Sequence, residues 1–183
     1  PKAVTPYNIA FRYFGIITML TSIIMTPLWS AYTEAATKND YKWIKSILNK
    51  QVAFFILIVL FVIVLFVMAE PIISLWMGKK IVFTNALLLG MALFTILSVW
   101  NNIFSYLLGG LGKIRLGTFL TLFTAGLNIP LSLFLIEKMN FDPGGVIFAT
   151  SICLGLTAII SPIQTYYFVY SKRKTKFLTN LLR

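Results

Sequence analysis

The amino-acid sequence predicts an all-α integral membrane protein with about five transmembrane helices. Three observations lead there. The 183-residue chain is 58% hydrophobic and 11% charged, against about 25% charged in a soluble globular domain. Its apolar residues come in long blocks, and residues 52–69 hold no charged or strongly polar side chain; a helix apolar all round is buried or lipid-facing. Finally, 16 Lys and Arg face 5 acids, a net charge of +11, and the basic residues gather in the short connections, as the positive-inside bias places them. That placement assigns the charge to loops facing anionic lipid, with no nucleic-acid partner.

The composition also narrows the chemistry. Histidine is absent, which removes the commonest general base and metal ligand, so no metal, cofactor or enzymatic role is expected. The single cysteine, Cys153, lies in an apolar run and forms no internal disulfide. The chain starts at Pro1 without a signal-like segment, so it is expected to be a piece of a longer protein.

The first span is expected over residues 9–32, interrupted by Arg12, several Ser and Thr, and Pro27. Pro27 removes a backbone hydrogen bond and predicts a kink, with nearby hydroxyls to satisfy the freed carbonyl. Residues 26–45, TPLWSAYTEAATKNDYKWIK, then turn polar and basic between Trp29 and Trp43. Trp favours the membrane–water boundary, so this is a membrane exit and re-entry. A short interfacial helix is expected over residues 39–49, running into the next span, with Asn39 as the N-cap of the turn at Asp40.

The second span, residues 52–69, is about 27 Å long as a helix and, lacking a polar face, is expected to be the most lipid-exposed. Glu70-Pro71 ends it, and residues 71–77, with Trp76, form an interfacial patch. The third span, residues 81–108, exceeds the hydrocarbon thickness and must tilt, kink or protrude. Its second half carries Trp100, Asn101, Asn102 and Ser105, which face protein or a wet cavity because lipid offers amides no partner. Residues 109–117, GGLGKIRLG, are a tight connection and lack phosphate-loop spacing. The fourth span covers residues 116–136 and includes Asn128 and Pro130; residues 137–145 are rich in turn formers. The fifth covers residues 146–170 with Pro162, Gln164 and three tyrosines near its exit, and a basic tail fills residues 171–183.

Five spans put the two ends on opposite sides. Eleven Lys and Arg fall on one side, at residues 38–50, at Lys113 and Arg115, and in the tail. Five fall on the other: Lys2, Arg12, Lys79, Lys80 and Lys138. The expected topology is therefore N-out, C-in.

The segment PLWSAYTEA at residues 27–35, followed by Asp40 and Trp43-Ile44, resembles the polysaccharide and oligosaccharide flippases of the multidrug/oligosaccharidyl-lipid/polysaccharide exporter superfamily. LWMG at 75–78, WN at 100–101, FSYLLGGLGK at 104–113, NIPLS at 128–132, GVI at 145–147 and ISPIQ at 160–164 are similar to later family segments, in order. The resemblance covers nearly the whole chain. It implies a twelve-helix transporter of two six-helix lobes, with this chain supplying helices eight to twelve of the C-terminal lobe and lacking the N-terminal lobe. It implies flipping of a lipid-linked oligosaccharide, on undecaprenyl diphosphate, across the bacterial cytoplasmic (inner) membrane by alternating access. Its partners would be that substrate and the membrane lipids.

Under that resemblance the cavity candidates are Arg12, Asn101, Asn102, Asn128 and Gln164. Arg12 matches a diphosphate bidentately, or else snorkels to the nearby interface. The asparagines bond sugar hydroxyls, or else join helices to one another; Gln164, two residues after Pro162, repairs the kinked backbone or lines the cavity. Pro27, Pro130 and Pro162 are kink candidates. Two other readings stay open. A cation-coupled multidrug exporter would want a buried carboxylate, whereas all five acids lie at span ends or in loops. A non-transporting membrane scaffold would need no lined cavity.

Overall fold

A computed structural model describes residues 4–78, 83–139 and 144–170. Lys2, Lys79, Lys80, the first residues of the expected third span, Asp142-Pro143 and the basic tail lie outside the described residues. Among those described, every regular element is a helix: α1 (Val4–Thr37), α2 (Tyr41–Val67), α3 (Ala69–Met77), α4 (Asn85–Gly110), α5 (Arg115–Met139) and α6 (Gly144–Val169). All but α3 are long and apolar enough to cross a bilayer.

The turn between α1 and α2 is built differently from the expectation. Asn39 is no N-cap. It sits at φ 56°, just past the end of α1, with its N–H donating to Ala36 O and the Asp40 N–H to Ala35 O. That is the Schellman arrangement, and Asn is among the few residues that enter the left-handed region at small cost. The N-cap of α2 is Asp40, whose carboxylate accepts from the Trp43 N–H at 3.0 Å. From there α2 runs unbroken to Val67. The interfacial helix and the second span are thus one element, because no Gly or Pro separates residues 41 and 67 to break it.

Glu70 and Pro71 open α3. An acid suits a helix N-terminus, and proline's missing N–H has no intrahelical partner there to lose. Gly78, at φ 65°, closes it. The α4–α5 connection is shorter than the glycine run indicates. Gly109 and Gly110 are still helical, and only Gly112, at φ 67°, makes the turn.

The centre of the bundle is α4. Of its most apolar window 56% is buried, against 17% for both α2 and α5. It packs against α1 on one side, α6 on the other, and α2 across a third. The second span shares its lipid exposure with α5, which sits at the edge of the lobe and packs chiefly on α6. The α1–α4 contact is close. A Cβ at Gly110 would lie 2.6 Å from Tyr32 Cβ and 2.8 Å from the Trp29 carbonyl oxygen, so only glycine lets the helices approach this far.

Candidate functional site

Four of the long helices carry a line of small polar side chains at helical spacing. On α1 these are Thr18, Ser22 and Thr26; on α4, Ser98, Asn102 and Ser105. On α5 they are Thr121, Asn128 and Ser132; on α6, Thr150, Thr157 and Ser161. Steps of three, four or seven residues keep each line on one face of its helix.

The position of α2 shows which way two of these lines point, those of α4 and α6. The α1 line is not set apart in this way, since Met25, whose sulfur accepts from Gln51 of α2, stands three residues from Ser22 and seven from Thr18. Trp100 packs on Phe55 of α2, with ring centroids 4.9 Å apart, and Asn102 lies about 160° round α4 from it. Tyr166 lines the α2 side of α6, and Thr157 lies about half a turn away. So α2 marks one side of the lobe, and the α4 and α6 lines point to the other. The α5 line joins them through Asn128, which donates to Thr150 Oγ1 at 3.0 Å and accepts from Ser132. Most of these hydroxyls also donate to a carbonyl of their own helix, as Thr121, Thr150 and Ser22 do. Each keeps acceptor capacity for a further donor.

The five expected cavity residues are not gathered in one place. Arg12 is exposed on α1, beside Asn8, Ile9, Trp76 and Met77, in a shallow recess of about 420 Å³. It lies twenty residues, about 30 Å of helix, from Tyr32 at the other end. Asn102 is half-buried on the α4 line and makes no side-chain hydrogen bond within the described residues. Its neighbour Asn101 is buried instead and donates to Leu154 O of α6 at 3.1 Å. Asn128 ties α5 to α6. Gln164, 3% exposed, donates to Lys113 O at the α4–α5 turn.

The three prolines sit inside continuous helices. Pro162 has no N–H for Ala158 O, four residues earlier, and the Trp100 indole N–H supplies the donor at 2.9 Å. The partner comes from 58 residues away, so no local pattern announces it. Gln51 was also missed. It is buried on α2, accepts from the Tyr32 hydroxyl and donates to Met25 Sδ. Its only sequence signal is an amide at the edge of an apolar block.

Among the described residues, one end of the bundle is basic. Lys38, Lys42, Lys45, Lys113 and Arg115 gather at the end where Thr33 donates to Gly110 O. Lys38 pairs with Glu34, and that hydrogen-bonded carboxylate raises the ammonium above its ordinary range. Among the described residues no group of His, Cys, Asp and Glu is placed to hold a metal ion.

Comparison with known proteins gives two matches. The family model MatE matches residues 1–134. A protein named "Putative O-antigen export protein", from Yersinia pseudotuberculosis, is 25% identical over 111 residues, which are 60% of this chain and 25% of that protein. The match therefore spans about a quarter of that curated relative's length. No solved structure gives a significant match.

Proposed function

We propose, from the premise that this chain belongs to the MatE family of membrane transporters, that it is part of the C-terminal lobe of a flippase for lipid-linked oligosaccharides in the bacterial cytoplasmic membrane. The observation that carries this reading is the set of three hydroxyl- and amide-bearing lines, on α4, α5 and α6, on the side of the lobe away from α2. Sugar hydroxyls donate and accept hydrogen bonds, and a surface of Ser, Thr and Asn answers both without charge. Many weak contacts spread along the depth of the membrane suit passage better than one strong site. A second lobe, facing this side, would cover it, and rocking of the lobes would open it to each leaflet in turn. The name of the Yersinia relative points the same way.

The diphosphate of such a substrate needs cations at the two membrane surfaces. The basic end of the bundle supplies them at one surface, taken as cytoplasmic by the positive-inside bias. Arg12 supplies one at the other. A guanidinium matches two phosphate oxygens, which a single ammonium does not.

The test uses the full-length protein in a strain lacking its own flippase, scoring surface polysaccharide and inner-leaflet lipid-linked intermediate together. Restored polysaccharide with the intermediate cleared is expected. Arg12→Glu should lower export roughly tenfold or more, the worth of one charge-assisted hydrogen bond, and Arg12→Lys should keep part of it. Full export by Arg12→Glu would remove Arg12 from the path. Resistance to cationic drugs without rescue would replace the flippase reading with a drug exporter.

A further inference from the structure

We propose that the groove between α2 and α6, at the basic end of the bundle, binds one anionic phospholipid, with an acyl chain in the groove and the phosphate on Lys42 and Lys45. The groove has a volume of about 640 Å³. Its walls are apolar where they run into the membrane: Val52, Ala53 and Ile56 of α2 face Pro162, Thr165 and Tyr166 of α6. It becomes polar toward the basic end. There the Tyr170 hydroxyl donates to Asn49 Oδ1 at 3.2 Å, and Tyr170 stacks on Tyr166 with ring centroids 5.5 Å apart.

Two cations stand at that mouth. Lys45 Nζ lies 4.7 Å from the centroid of the Tyr170 ring, so the side chain is already drawn over the groove. Lys42 lies one turn before it, and Asn49 one turn after, on the face that continues through Val52, Ala53 and Ile56. Neither lysine is neutralised within the described residues. Glu34 is paired with Lys38, and Asp40 caps the Trp43 N–H. An amphiphile with one negative headgroup beside an apolar chain complements this surface at both ends.

The groove lies on the α2 side of the lobe, away from the polar lines of α4, α5 and α6, so its occupant is a resident membrane lipid and not the cargo. A lipid held here would join α2 to α6, which touch little directly.

The full-length protein, purified in detergent, is equilibrated with phosphatidylcholine vesicles lacking or containing phosphatidylglycerol, re-extracted, and its retained lipid counted by native mass spectrometry. One phosphatidylglycerol should survive dilution that strips phosphatidylcholine. Lys42→Gln with Lys45→Gln should weaken its retention roughly twenty-five-fold, about fivefold for each lysine. Lys50→Gln, on another face of α2, should leave it unchanged. Ala53→Phe, which fills the groove, should abolish it. Should that variant fold poorly, the lysine pair decides, with an unchanged melting temperature in phosphatidylcholine as its folding control. Equal retention by the lysine variant would overturn the proposal, and so would equal loss in Lys50→Gln. Displacement of phosphatidylglycerol by equimolar undecaprenyl phosphate would overturn it too, by giving the groove to a carrier lipid.

Discussion

Trp100 and Pro162 show how one residue's defect becomes another's attachment point. Ala158 O lacks its helical donor because position 162 is proline, and the indole N–H of Trp100 fills that vacancy across the α4–α6 interface. Trp100→Phe keeps most of the ring packing and removes the donor, leaving a part-buried carbonyl unsatisfied at about 1–3 kcal/mol. Pro162→Ala restores the local N–H. The Trp100→Phe loss should therefore shrink by about 1 kcal/mol or more in the Pro162→Ala background, measured as a double-mutant cycle in detergent. Equal losses in both backgrounds would mean that the indole matters by its bulk alone. Gly110 presents the opposite case, where the absence of a side chain is what counts. Gly110→Ala pushes a methyl against Tyr32 Cβ and the Trp29 carbonyl, and should destabilise by about 1–3 kcal/mol. Gly117→Ala meets open space, and its melting temperature should hold or rise.

Each helix is delimited by its ends more than by its middle. The α1–α2 turn combines a left-handed Asn39 with a capping Asp40, so one three-residue link ends one membrane helix and starts the next. Asp40→Ala should cost about 1 kcal/mol by exposing the Trp43 N–H. Asn39→Val should cost roughly 1–2 kcal/mol, because a β-branched residue resists the left-handed region. Asn39→Gly should be neutral or slightly stabilising. Thermal melts of the three variants check the order; a harmless Asn39→Val would mean the turn re-forms another way. The α4–α5 link uses the same device, with Gly112 left-handed and the Lys113 N–H donating to Leu108 O. Gln164 then reaches from α6 to Lys113 O, tying that turn to the last helix.

For the molecule as a whole the main prediction is orientation. Thr37 and Met77 are exposed at opposite ends of the bundle. With Cys153→Ser as background, a membrane-impermeant maleimide applied to spheroplasts should label a Met77→Cys protein and leave a Thr37→Cys protein unlabelled until the membrane is opened. The reverse pattern would invert the topology and move the basic end outside. The lobe is also asymmetric from side to side. One side is closed by α2, apolar along most of its length; the other presents hydroxyls and amides from α4, α5 and α6. A transporter half would have this division, with one surface for lipid and one for the partner lobe and the path between them.

The amino-acid sequence by itself determined the class of protein, the five spans, the places where the chain turns and the basic end. These are local properties: apolar length sets what can cross a bilayer, glycine and polar clusters set where the backbone can turn, and lysine placement follows the membrane surface. Only the tertiary structure decided how each helix is rotated. Asn101 and Asn102 are adjacent and chemically identical, yet one is buried on α6 and the other stands on the open line. Trp100 serves a proline in another helix, Gly109 and Gly110 are contacts instead of a turn, and Gln51 is a buried link between α1 and α2. The physical reason is that a helix in lipid has no hydrophobic face to hide. Lipid tails are as apolar as a protein interior, so hydropathy does not encode rotation. Small residues, freed carbonyls and amides settle it instead, and their partners are named only when the helices meet.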